Sequence, residues 1–229
     1  MLLTTAQKLI ASPAGLLDEA DRRSVPDLLV LTAISGVVIG AAAGLHHGGI
    51  QGIYSAVKMS FMLVIPTLLV LPALRGLAAT LGFDLPLGRA SIAAIAASAR
   101  TAIFAAALIP AYWLFAAYAH SYAAAVFGLA LTMGVGGMFG MPVLASCVRV
   151  APIGGAPLGR PRPLRSAAFT LGAGTLFLLA AGQTGWHLRP FVRPPDAPAR
   201  FFAPPEGDFY SNLKERFDRA SSFPPVGQH

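Results

Sequence analysis

Apolar and polar positions fall in long blocks along this chain. Five apolar runs lie at about 26–45, 56–74, 90–118, 122–148 and 166–188, parted by stretches rich in Gly, Pro and Arg. Roughly 20 apolar residues in a helix cross a hydrocarbon core. The pattern therefore predicts an all-α fold, a polytopic transmembrane helical bundle of about five spans. An amphipathic N-terminal segment precedes it (1–25) and a Pro-rich tail follows (189–229).

The division between bundle and tail is sharpest over 172–191, GAGTLFLLAAGQTGWHLRPF. It opens as an apolar helix. It closes in Trp186, His187, Arg189, Pro190 and Phe191, an aromatic and cationic collar with a helix stop, as suits a last span leaving a bilayer. At the other end of the chain, Leu2, Leu3, Ala6, Leu9 and Ile10 share one helical face, and Ser12–Pro13 reads as an N-cap and first helical position. A short helix lying on the cytoplasmic face is expected there. No basic start followed by an apolar core marks a cleavable signal in the first ten residues.

Small residues recur at helical spacing. Gly36, Gly40 and Gly44 form a double GxxxG in the first span. Gly128, Thr132, Gly136 and Gly140 repeat every four residues in the fourth. Such rows let helices approach closely; packing within the chain and packing between chains both fit. The second span starts with Lys58 and ends at Arg75, so both cations are expected to reach headgroups. Pro66 and Pro72 inside it each remove a backbone donor, which predicts a kinked helix or a broken, ligand-lining one. The third run is long for one crossing. Arg100 within it either slides to the headgroups or is buried, pairing with carbonyls or a lipid phosphate. Tyr112, Trp113, Tyr118 and Tyr122 predict an aromatic belt.

Composition agrees with a membrane setting. The 229 residues are 55% hydrophobic and 12% charged, about half the charged share of a soluble domain, with a mean hydropathy of +0.64. The net charge of +7 comes from cations between apolar runs, which indicates orientation and not nucleic-acid binding. The loop 149–165, with Arg149, Arg160, Arg162 and Arg165 and no acid, should face the cytoplasm. The N-terminus is then inside and the tail outside. Arg189, Arg193 and Arg200 near the last span pull against that assignment.

Chemistry is sparse. No HExxH, CxxC, GxSxG or phosphate-binding loop is present, so no catalytic, cofactor or metal residue is assigned. Lone Cys147 makes no internal disulfide. His46, His47 and His120 leave a pigment- or haem-binding subunit as a remote option. In the tail, 190–205 should be extended, and 208–220 should form a short helix with Phe209, Leu213 and Phe217 on one stripe. A helix this short needs a surface to dock on, either its own body, the membrane or a partner. Phe201 and Phe202 could anchor in the same way.

With Lys58, Thr67, Leu68, Leu69, Pro72, Leu74 and Gly76 (K…TLL..P.L.G), Trp186, Leu188, Arg189, Pro190 and Phe191 (W.LRPF), and the run EGDFY at 206–210 in hand, the chain resembles a family of uncharacterised bacterial polytopic inner-membrane proteins. Where those members carry a proline soon after the lysine, this chain has Met59 and Ser60. The resemblance implies a class and no activity.

The expectation for function is a non-enzymatic subunit or scaffold of a larger bacterial inner-membrane complex, with lipids and a protein partner or second copy as its contacts. The glycine rows, Trp186, Arg189, Pro190 and Phe191, and the stripe of Phe209, Leu213 and Phe217 would meet those partners. The rival is a small transporter or lipid-handling protein using Lys58, Pro66, Pro72 and Arg100.

Overall fold

The computed structural model describes residues 2–11, 24–45, 49–119, 122–149, 162–189, 191–192 and 201–202. Among them are seven helices and no strand: α1 (Leu2–Ala11), α2 (Ser24–Gly44), α3 (Ile50–Thr80), α4 (Leu87–Ala107), α5 (Ile109–Ala119), α6 (Tyr122–Arg149) and α7 (Arg162–Leu188). Five of them, α2, α3, α4, α6 and α7, are long and apolar enough to cross a membrane. The expected tail helix at 208–220 lies outside the described residues, as do His46, His47 and His120.

Helix bounds depart from the apolar runs where polar residues still suit a helix. α3 begins six residues before its apolar run and takes in Gln51 and Ser55; its 31 residues span about 46 Å. It stays helical through Pro66 and Pro72. Pro66 frees the Met62 carbonyl and Pro72 that of Leu68; next to the first, Thr67 Oγ1 and Ser98 Oγ donate to the Leu63 carbonyl at 2.8 and 3.0 Å. The long third run is a kinked pair. α4 and α5 join at Leu108, whose N–H bonds to the Phe104 and Ala105 carbonyls, just before Pro110, which has no N–H to give.

α3 closes in a left-handed C-cap. Gly82 takes φ 79°, a conformation that costs glycine nothing. Phe83 N–H then reaches the Ala78 carbonyl at 2.9 Å and Gly82 N–H the Ala79 carbonyl at 3.0 Å, satisfying the helix end. Phe83 turns into the core, edge-on to Phe169 of α7 at 6.3 Å.

Successive spans run antiparallel, and small residues set their spacing. A Cβ on Gly36 would stand 2.7 Å from Ser60 Cα, one on Gly44 would stand 2.6 Å from the Gln51 carbonyl, and one on Gly40 would run into the Ser55 carbonyl. The first glycine row therefore lies against α3 of the same chain. In the second row, Gly128 faces Phe115 of α5, and Gly136 and Gly140 face Thr101 on α4. Thr132 is buried and bonds the Gly128 carbonyl of its own helix at 2.8 Å. α4 is the most enclosed span. Its buried alanines, among them Ala94, Ala96, Ala99 and Ala102, let α2, α3 and α6 all pack around it.

One end of the bundle carries Arg75, Arg89, Arg149, Arg162 and Arg165; α7 leaves the other, here called the tail end. α1 packs at the arginine end on α2 and α4, with Leu9 fully buried and Thr5 Oγ1 3.1 Å from Asp27 Oδ2. Leu2, Thr5 and Ala6, all half-buried, share the inward face with buried Leu9. Leu3 and Ile10, expected on the same apolar face, are exposed.

Gly40→Ala separates close packing from helix propensity. Alanine favours a helix by about 1 kcal/mol over glycine, but at Gly40 the methyl group meets backbone that cannot rotate away. A net loss of about 1–3 kcal/mol is expected, read as a lower thermal midpoint in detergent. Gly76→Ala, with nothing within 4 Å of the new methyl, should hold or raise that midpoint.

Candidate functional site

Gln51, Ser55 and Lys58 lie at i, i+4 and i+7 on α3, a spacing that puts three polar side chains on one face. All three are fully buried. Lys58 sits about 12 Å past the start of α3 along its axis. It does not extend to the headgroups as the sequence suggests. The difference has a physical cause: α3 begins earlier than its apolar run, and the tail folds back over this face.

That cover is built from named contacts. Ser55 Oγ donates to the Phe191 carbonyl at 2.6 Å, and Gln51 Nε2 reaches Ser55 Oγ at 3.5 Å. Val192 is buried in a cluster with Met59, Ala105 and Tyr112, and Phe191 packs against the same cluster. Phe201 and Phe202 stack edge to face at 4.7 Å, and Phe201 meets Tyr54 in the same manner at 5.2 Å. The Lys58 ammonium stands 4.8 Å from the Phe201 ring centre and 5.5 Å from that of Phe202. Each such cation–π contact contributes about 0.5–2 kcal/mol, more as water is excluded.

The collar after α7 starts this strap. The Arg189 guanidinium lies 3.5 Å from the Trp186 ring centre. The glycine rows, expected to face a partner or another helix, lie against the chain's own helices, as does Phe191 of the collar, while Trp186 and Arg189 stack on each other. Pro190 and the stripe of Phe209, Leu213 and Phe217 lie outside the described residues. Gln51, Ser55 and Val192 escape a reading by apolar runs. The i, i+4, i+7 spacing that leads into Lys58 is the signal that marks Gln51 and Ser55.

Arg100 occupies a different place. It falls near the middle of the stretch formed by α4 and α5, two residues past Ser98, which bonds to Leu63 near the midpoint of α3. It is half-buried. Its guanidinium lies 5.7 Å from the Phe104 ring centre. Phe104 in turn stacks on Phe139 of α6, with centroids 4.1 Å apart and planes within 3°. Nε and Nη1 of Arg100 are buried without a hydrogen-bond partner among the described residues. A charge at the centre of a span costs about 2.5–3.5 kcal/mol on insertion scales. Lys58 and Arg100 meet different neighbours, the strap and the α4–α6 stack, so the structure does not join them in one site. Pro66 lies in the buried face of α3, whereas Pro72 is exposed.

No group of three His, Cys, Asp or Glu residues that could hold a metal ion occurs among the described residues. Comparison with protein-family models, curated proteins and solved structures returns no match.

Paired Phe201→Ala and Phe202→Ala should uncover Lys58. In the intact chain a water-soluble amine reagent should modify exposed Lys8 and spare Lys58, with a rate difference of about tenfold or more because Lys58 reacts only when the strap opens. Peptide-resolved mass spectrometry of the double variant should show Lys58 approaching Lys8. Unchanged protection would mean that the strap is not what covers it.

Proposed function

We propose that the chain is a non-enzymatic integral subunit or scaffold of a larger assembly in a bacterial inner membrane, which holds its tail at the outer surface for a partner. The observation that carries this reading is the strap. Ser55, Lys58, Phe201 and Phe202 fix the chain at the tail end of the bundle, so the segment that follows residue 202 leaves from a set position. Phe209, Leu213 and Phe217 in that segment are the residues that would meet the partner.

The arginine end belongs on the cytoplasmic side. Among the described residues Lys8, Arg75, Arg89, Arg149, Arg162 and Arg165 belong to that end, and short loops rich in arginine are retained inside. Lys58, being buried, does not act as a loop cation. The N-terminus is then cytoplasmic and the tail is exported.

Deletion of 208–220 tests the reading. The bundle and strap are expected to survive, with an unchanged elution volume in detergent, while a companion protein recovered with the full chain is lost. Recovery equal to that of the full chain would overturn the role of the tail.

A further inference from the structure

Arg100 presents an unusual combination. Two of its donor nitrogens are buried without a partner among the described residues, at the mid-depth of the bundle, while the side chain as a whole is half-open to the outside of the protein. The Phe104 ring beneath it, held by the Phe139 stack, keeps the guanidinium against the α4–α6 seam. Gly136 and Gly140 bring α6 close enough to α4 for that stack to form.

A buried guanidinium in a membrane is satisfied by a carboxylate, a phosphate or carbonyls. The chain has ten acids, and only Asp27, in the first turn of α2 and held by Thr5, lies within a described helix. Asp84 lies between α3 and α4, three acids precede α2 and five follow α7. Neither described acid, Asp27 or Asp84, is at the depth of Arg100. Among the described residues, a second copy facing this seam would bring another Arg100 and no acid at that level. A lipid phosphate sits about 15 Å from the mid-plane, at the edge of the hydrocarbon core. An acid carried on another protein's transmembrane helix has no such mismatch of depth.

We propose that Arg100, with the Phe104–Phe139 stack beside it, is the docking point for a transmembrane helix of a different protein that carries an Asp or Glu near mid-membrane. This rests on the reading as a complex subunit, and it assigns the intramembrane contact independently of the tail. Nε and Nη1 are enclosed by the chain itself, so pairing takes place at the accessible part of the half-buried side chain, and the flat aromatic stack offers the incoming helix an apolar surface. Opposite charges facing each other within a bilayer also select one partner and one register.

The test is a photo-crosslinker in place of Phe139 in the full chain, in its native membrane, with the same group at lipid-facing Leu178 as reference. The expected adduct at position 139 is a membrane protein with a carboxylate inside a predicted span. Arg100→Lys should keep the adduct, and Arg100→Leu should reduce it at least about tenfold, the loss expected for one charged contact. Arg100→Glu should also lose it and regain it when the partner's acid is changed to Lys. That rescue keeps the test valid if a single variant folds poorly, because only pairing restores it. Adducts only with lipid or a second copy, an adduct whose spans hold no acid, or a failed charge exchange would each overturn the inference. If a companion still purifies with the chain through its tail, the subunit reading stands without Arg100. If the chain is isolated alone, that reading falls as well.

Discussion

The approach of Gly40 of α2 to the Ser55 carbonyl of α3, the tightest to backbone at any described glycine, fixes the spacing on which the rest depends. With no side chain between them, the two backbones lie nearly in contact, and Ser60 Oγ bridges to the Ala33 carbonyl at 3.0 Å. Lipid tails are as apolar as leucine, so helices in a bilayer gain little from burying large apolar side chains. They gain from close van der Waals contact and from hydrogen bonds that cross between helices. Glycine in α2 and α6 and alanine in α4 supply the contact, while Ser60 and Ser98 supply such bonds. This explains why the most enclosed span, α4, is also built of the smallest side chains.

The same spacing positions the polar groups. The α2–α3 contact fixes the face of α3 that carries Gln51, Ser55 and Lys58. The strap then brings a carbonyl to Ser55 and two aromatic faces to Lys58. Aromatic faces suit an ammonium removed from water, because the ring quadrupole stabilises the cation without a second full charge. At Arg100 the arrangement is only half complete. One aromatic face is present, and two donors are enclosed without a partner among the described residues. The bundle satisfies Lys58 from within its own chain and turns Arg100 outward.

Much of the architecture is legible in the apolar runs, because a bilayer demands helices of a given length and composition. The positions of the five long helices follow from that demand, and the kink near Pro110 follows from a missing donor. Extent is less legible. α3 begins at Ile50, since Gln51 and Ser55 are hidden by chain that lies some 140 residues later, which no local pattern reveals. The burial of Lys58 has the same origin. The glycine rows signal close packing, but a row of small residues is the same whether its neighbour is another helix of the chain or another chain. Only the register of Gly36, Gly40 and Gly44 on Ser60, Ser55 and Gln51 decides it. For Arg100 the residue is conspicuous in the sequence, yet its unsatisfied nitrogens and the Phe139 stack depend on how α6 meets α4.

Under the proposed function, the bundle is one part of a larger assembly, reached through Arg100 and the tail. Native mass spectrometry of the full chain, released from its own membrane in mild detergent, measures that directly. The expected result is the 23.7 kDa chain in a fixed stoichiometry with at least one different membrane protein. A population consisting only of the single chain or its multiples, with or without lipid, would contradict it.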